Sequence, residues 1–293
     1  MIWIIGSNGM LGSRLCGMLS ATGMAFTGTD VETSILDPQV LSRFAHEHDS
    51  IRCMINCSAY TNVDKAESDA DTAYAINERG VRNLAEIAAR LDIPFIHIST
   101  DYVFDGKGTL PYREDDPTCP ISVYGASKLA GERAAIAACS KTVVIRTSWL
   151  YDSHGKNFFL TMLRLFREKG AVNVVSDQQG NPTWAADLAR AILSVAHILQ
   201  AAPLENMYGV FHFSNEGITT WYDFAREIAS QACASHILAT NPTVIPVTSD
   251  AWPTPVKRPA WSALDKTKIK NTFGITVPRW ELSLASCLKS LKE

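Results

Sequence analysis

A short apolar run that meets a glycine turn and then a helical pattern, repeated along half a chain, leaves few folds open. Here Ile2–Ile5 (IWII) runs into GSNGMLG and a helical stretch from about Leu11 to Thr22. The next apolar runs are AFTGTD (25–30), CMINCSA (53–59), PFIHIST (94–100) and TVVIRTS (142–148). Helical patterns at 69–91 and around YGASKLAGE (124–132) separate the later runs. Strands alternating with helices predict an α/β fold, a doubly wound parallel sheet of the Rossmann type with right-handed crossovers. After Trp149 aromatics, prolines and longer loops increase, notably across 242–261, with helical stretches at 158–169, 185–199 and 221–234. The expected organisation is a dinucleotide-binding domain over 1–150. A smaller substrate-binding region over 151–293 follows, some of its helices packing back on the first sheet.

Gly6, Gly9 and Gly12 stand between the first strand and the first helix. That placement suits a tight turn, close backbone approach to a pyrophosphate, and close helix–strand contact. The helix N-terminus adds free N–H groups and partial positive charge. Asp30 closes the second strand, where an acid accepts hydrogen bonds from ribose hydroxyls. No lysine or arginine occurs between Asp30 and Arg43. The expectation is NADH in preference to NADPH, with NADPH accepted.

Tyr124 and Lys128 are four residues apart and so share one helix face. A free phenol, with pKa near 10, exchanges protons poorly at neutral pH, and a nearby cation is expected to lower it by roughly 1–3 units. Gly125 and Gly131 would each cost this helix about 1 kcal/mol relative to alanine. That cost implies a helix lying close to another backbone or a cofactor. Ser99, Thr100 and Asp101 end a strand at the carboxyl edge, where ligands bind in such sheets. A hydroxyl there can share a hydrogen bond with the substrate oxygen and the tyrosine.

Composition narrows the partners. The net charge is −3, hydrophobic residues are 46% and charged residues 19% of the 293 residues. No basic block favours nucleic acid or an anionic membrane. No apolar run approaches the roughly 20 residues of a membrane span, and the first strand begins at Ile2. The seven scattered cysteines form no paired framework. These features predict a soluble cytoplasmic protein. His46 and His48 read as a solvated helix end, the charges of 166–170 as an exposed helix terminus, and Trp221 and Tyr222 as packing residues.

Several longer stretches carry a family resemblance. They are GSNGMLG, NCSAYTNVDKAE (56–67), HISTDYVFDG (97–106), VYGASKLAGE, RTSWLY (146–151), SDQQGNPTWAADLA (176–189) and PVKRPAWSALD (255–265). Together they resemble the extended short-chain dehydrogenases/reductases, nearly end to end. The resemblance implies that Gly9, Met10 and Leu11 contact the pyrophosphate, Asp30 the adenosine ribose, and Ser34 and Ile35 the adenine. It implies that Ala59, Tyr60, Thr61 and Ile98 line the dinucleotide. Tyr124 becomes the proton donor, Lys128 its partner and Thr100 the hydroxyl that orients the substrate oxygen. Thr100, Asp101 and Trp149 would face a nucleotide sugar, as would Gln179 and Arg258. A homodimer is the assembly that the resemblance allows. Some members bind magnesium two residues after the last glycine of the turn; here Arg14 stands there, so no metal is expected at that place.

The implied reaction is reduction of a keto group on a nucleotide-linked sugar. An elimination in this superfamily uses an Asp-Glu pair after the threonine, whereas Thr100 is followed by Asp101-Tyr102. An epimerase-reductase needs a cysteine and a histidine in its pocket, and no cysteine adjoins Thr100. A non-catalytic dinucleotide-binding subunit is the alternative from another class, and it has no need of the acid at Tyr124.

Overall fold

The computed structural model describes residues 1–251 and 254–291. Its centre is a six-stranded parallel sheet. The elements in chain order are β1 (Ile2–Ile5), α1 (Met10–Thr22), β2 (Phe26–Thr29), α2 (Pro38–Glu47), β3 (Cys53–Asn56), α3 (Val81–Arg90), β4 (Phe95–Thr100), α4 (Val123–Ala138) and β5 (Thr142–Thr147). After them come α5 (Phe158–Glu168), β6 (Ala171–Val175), α6 (Ala185–Ala201), β7 (Gly209–His212), α7 (Trp221–Ala234), β8 (Thr243–Val247) and α8 (Trp280–Lys289).

The sheet order is β7-β5-β4-β3-β1-β2. The chain leaves β1 in one direction to make β2 and returns on the other side to make β3. The crevice beyond β1 and β3 is therefore the topological switch point, where ligands bind in open α/β sheets. Side-chain alternation covers both faces. Ile2 and Ile4 pack with α1 and α6, whereas Trp3 and Ile5 pack with α2 and α3. Strands buried on both faces explain the continuous apolar runs.

The chain after Trp149 divides its material. β7 adds the last strand of the central sheet, and α6 lies against α1 on the first core. A separate core gathers α5, α7, α8 and β6, with Phe159, Phe224, Trp184 and Trp280 at its centre. β6 pairs in parallel with β8. Part of the long loop expected across 242–261 is thus a strand, because its VIPV stretch finds β6 as a partner. Trp252 and Pro253 of that segment lie outside the described residues.

The continuous helix expected over 69–91 is also different. A helix at Ala70–Tyr74 passes into π-helical turns at Ala75–Gly80 before α3. π-helical turns occur often at functional sites, and here they present Asn77 inward. Helix α2 ends at the solvated helix end expected at His46 and His48, but its start was not read from the sequence. Its signals were local: Asp37 caps Gln39 and Val40, and Pro38 takes the first helical position.

The candidate active site

One continuous cavity of about 2140 Å³ opens along the carboxyl edge of the sheet, and the second core forms its far wall. Pockets for single small ligands span about 300–1,000 Å³. This cavity has room for two ligands side by side.

Its first wall is the glycine turn. Gly6 sits at φ +77°, and the Gly6 and Ser7 amides donate to the Thr29 carbonyl at 2.8 and 3.0 Å. The turn is thereby docked on the end of β2. A side chain at Gly12 would run into the Gly6 carbonyl oxygen and come 2.8 Å from Ser7 Cα. Gly9 precedes α1 without any side-chain cap. The first turn of α1 thus faces the cavity with free N–H groups, an anion site by construction.

Asp30 stands at the mouth of this wall. Its carboxylate accepts from the amides of Asn8 and Val31, each at 2.9 Å. Glu32, which sequence reasoning missed, accepts from the Asp30 amide at 2.6 Å. Two carboxylates therefore occupy the end of β2. Ser34 and Ile35 line the cavity beyond them, as do Ala59, Thr61 and Ile98 on the β3 and β4 side. Tyr60 does not join them. Its hydroxyl donates to Asp69 at 3.1 Å, and its amide donates to the Asn77 side chain at 2.8 Å.

The Tyr124 helix, α4, answers why its sequence carries glycines. A Cβ at Gly125 would strike the Tyr102 carbonyl oxygen, and one at Gly131 the Asn77 carbonyl oxygen. The close neighbour is backbone in both cases. This contact lowers α4 until Tyr124 and Lys128 reach the cavity, beside Thr100 at the end of β4. Ser122 caps the helix through the Gly125 amide at 3.1 Å.

The electrostatics differ from expectation. Lys128 is 2% exposed and donates to the Ile98 carbonyl at 2.7 Å. Burial pushes its pKa down to about 8, opposed by the nearby Glu132 carboxylate. Tyr124 is pushed up from its ordinary value, first by burial, while a hydrogen bond with Thr100 acts the other way and Asp101 adds to the rise. The lowering of the phenol by Lys128 is not realised in this arrangement, because the lysine turns to the Ile98 carbonyl. Asp101 is 3% exposed and is raised to about 7 by burial, against a 3.0 Å hydrogen bond from Thr100. Thr100 thus links phenol and carboxyl.

The far wall is aromatic and cationic. Trp149, at φ +47°, stacks on Trp221 with ring centroids 3.6 Å apart and planes 9° apart. Trp221 packs as expected, and it also lines the cavity. Arg258 lies at the wall, 3.3 Å from Asp64, with its Nε buried and unpaired among the described residues. Gln179 is exposed and turned away. Gln178 lines the cavity instead, donating to Ser249 at 3.0 Å. Behind α1, Arg14 holds the buried Asp152 in a bidentate pair at 2.6 Å and donates to Ser153 at 2.8 Å.

Comparison with known proteins agrees across the whole chain. The family described as RmlD substrate binding domain matches residues 1–293. A dTDP-4-dehydrorhamnose reductase of Aggregatibacter actinomycetemcomitans is 38% identical over 287 residues, covering 96% of each chain. The crystal structure of a dTDP-4-dehydrorhamnose reductase from Clostridium acetobutylicum superposes with TM-score 0.91 at 37% identity, covering 100% of this chain and 99% of that one. A dTDP-4-dehydrorhamnose reductase from Bacillus anthracis, solved in complex with NADP, gives 0.90 at 34% identity, covering 99% and 98%.

Proposed function

This chain belongs to the RmlD substrate binding domain family, and on that premise we propose that it reduces the 4-keto group of dTDP-4-dehydro-L-rhamnose to dTDP-L-rhamnose with NAD(P)H. The product serves deoxysugar and cell-surface polysaccharide synthesis. The observation that carries this reading is the convergence of Thr100, Tyr124 and Lys128 on one cavity with the uncapped end of α1.

The residues present fit a nicotinamide dinucleotide. The α1 N-terminus and the bare turn at Gly6, Gly9, Met10 and Leu11 accept a pyrophosphate, and Gly12 lets the helix come close. Asp30 takes ribose hydroxyls, and Ser34 and Ile35 flank the base. Ala59, Thr61 and Ile98 form the floor leading to Tyr124 and Lys128. Asp30 and Glu32 together disfavour a 2′-phosphate, so NADH is the preferred donor and NADPH is accepted. A dinucleotide held there would supply a hydride to the carbonyl carbon.

Negative charge then develops on the substrate oxygen. Tyr124 donates its proton there, and Thr100 orients the oxygen by hydrogen bonding. A phenol held above its ordinary pKa is a reluctant donor in isolation. The developing alkoxide is far more basic than the tyrosinate, so the transfer still runs toward the sugar. General acid catalysis of this kind contributes about 10²–10⁴-fold. Lys128, when charged, favours the tyrosinate that remains. Trp149 packs against the nucleotide sugar, Asp101 offers a carboxyl to a sugar hydroxyl, and the unpaired Arg258 Nε meets the diphosphate. Gln178 takes the place given to Gln179. We place the reaction in the cytoplasm, in keeping with seven free cysteines. Among the described residues no helix is long and apolar enough to cross a membrane.

The test is oxidation of NADH and NADPH, followed at 340 nm, against a panel of nucleotide-linked 4-keto sugars. The dTDP-4-keto sugar should be turned over with the highest kcat/KM, and NADH should outperform NADPH at equal concentration. A protein that binds NADH yet oxidises it with no keto sugar would be the non-catalytic subunit instead.

A further inference from the structure

Two buried polar residues beneath the cavity, Asn56 and His97, have no part in the steps above. His97, in the middle of β4, is fully buried. Its Nδ1 lies 3.1 Å from Asn56 Nδ2 on β3, and its Nε2 lies 3.4 Å from Lys128 Nζ on α4.

The direction of each contact follows from what each atom can do. Asn56 Oδ1 accepts from the Ser58 amide at 3.0 Å and from the Ser58 hydroxyl at 2.6 Å. A backbone N–H only donates, so that end of the Asn56 amide is the oxygen and the NH₂ faces His97. The NH₂ also only donates, so His97 Nδ1 accepts. An imidazole that accepts at Nδ1 is neutral and carries its hydrogen on Nε2. Burial, with Lys128 beside it, keeps His97 well below its ordinary pKa, in agreement with a neutral ring. The Nε2–H therefore points at Lys128 Nζ. An ammonium has three donors and no acceptor, whereas an amine offers a lone pair.

The other groups around Lys128 do not reverse this preference. On β4 the Ile98 carbonyl accepts one of its hydrogens. The Cys57 thiol, beyond the end of β3, is kept protonated by burial. On α4 itself Glu132 lies one turn away, but Arg146 of β5 holds that carboxylate at 2.7 and 2.9 Å and Ser99 donates to it at 2.5 Å. Tyr124 is a neutral phenol. From the π-helical turns the Asn77 side chain is engaged with Ser127 at 3.0 Å and with the Tyr60 backbone at 2.8 and 3.1 Å.

We propose that His97 is a positioning residue for the reduction: its Nε2–H, fixed by Asn56, donates to Lys128 and favours the amine over the ammonium. The contact acts in the same direction as burial, which already lowers the hold of Lys128 on its proton. The proposal rests on the reading that Lys128 serves the reductase reaction, but its first test does not.

That test is nitrogen NMR of the full chain labelled at histidine, with His97 assigned from the His97→Gln protein. The result expected is a hydrogen on Nε2 and a bare Nδ1 from pH 6 to 9. A hydrogen on Nδ1, or a doubly protonated ring, would overturn the proposal whether or not the protein reduces any sugar. The second test replaces the donor with a side chain that can turn its carbonyl to Lys128. In His97→Gln the ¹³Cε titration of Lys128 should move up by about one pH unit. The alkaline limb of kcat should move with it, since charge on Lys128 is lost as pH rises through its pKa. A change in kcat or KM with both titrations unmoved marks a merely structural histidine and rejects the proposal. If His97→Gln fails to fold, the ring tautomer in the unmutated protein, assigned through Asn56→Asp, decides alone.

Discussion

On the β1–β2 side of the cavity, the wall comes from the ends of regular elements: the turn after β1, the first turn of α1, Asp30 after β2 and the inner face of α4. On the opposite side, the wall comes from connecting segments. Trp149 follows β5, Gln178 precedes a two-residue strand, and Arg258 sits in an irregular stretch. The first wall is held by sheet ladders and by backbone packed on backbone. The second is held by contacts between segments distant in sequence, such as the Gln179 amide on the Ala260 carbonyl at 2.8 Å and the Ser262 amide on the Gln179 carbonyl at 2.8 Å. A shared cofactor demands one geometry and suits rigid elements. A particular sugar nucleotide is matched by loops that can change without disturbing the sheet.

This contrast can be broken at Gly131. Helix propensity alone predicts that Gly131→Ala stabilises α4 by about 1 kcal/mol. The added Cβ meets the Asn77 carbonyl, and overpacking of a closed contact costs ~1–3 kcal/mol or more. The steric effect should win, leaving the protein ~2 kcal/mol less stable to urea and its dinucleotide binding weakened. A gain in stability would mean that the two backbones are not held together. Arg258→Ala probes the other wall. Loss of a charge-assisted hydrogen bond, worth about 1.5–3 kcal/mol, should raise the KM for the keto sugar about tenfold or more. The dissociation constant for NADH should stay within about twofold; if both constants moved together, the two walls would not be separable. The smallest effect is expected at Gly17, inside α1 with nothing within 4 Å of an added Cβ. There Gly17→Ala should stabilise by up to about 1 kcal/mol, opposite in sign to Gly131.

The same contrast explains what could be read from the sequence. The five strands β1 to β5 fall within three residues of their apolar runs, because strands buried on both faces leave a continuous signal. The glycine turn, Asp30 and the Tyr124–Lys128 pair are local in sequence and were legible for that reason. The strand β7 was missed, since GVFH alone does not announce that it will pair with β5. Gln178 faces the cavity and Gln179 is exposed, because successive side chains of an extended chain point to opposite sides, which spacing alone does not resolve. Glu32 carried a signal in its distance from Asp30, two residues on in an acidic turn. The half-burial of Tyr124 and the burial of Lys128 had no such sign. Both depend on α4 lying against Tyr102 and Asn77, and both override the pairing that the spacing of the two residues alone suggests.

The central claim is that the Tyr124 phenol passes a proton to a carbonyl at this cavity, and Tyr124→Phe tests it most directly. Two quantities are read on the same protein: NADH binding by fluorescence titration, and the rate of NADH oxidation with the dTDP-4-keto sugar. The account predicts binding within about twofold of the unmutated protein and a rate lower by about 10²–10⁴-fold. A Tyr124→Phe protein that binds NADH and reduces the sugar at the unmutated rate would contradict it.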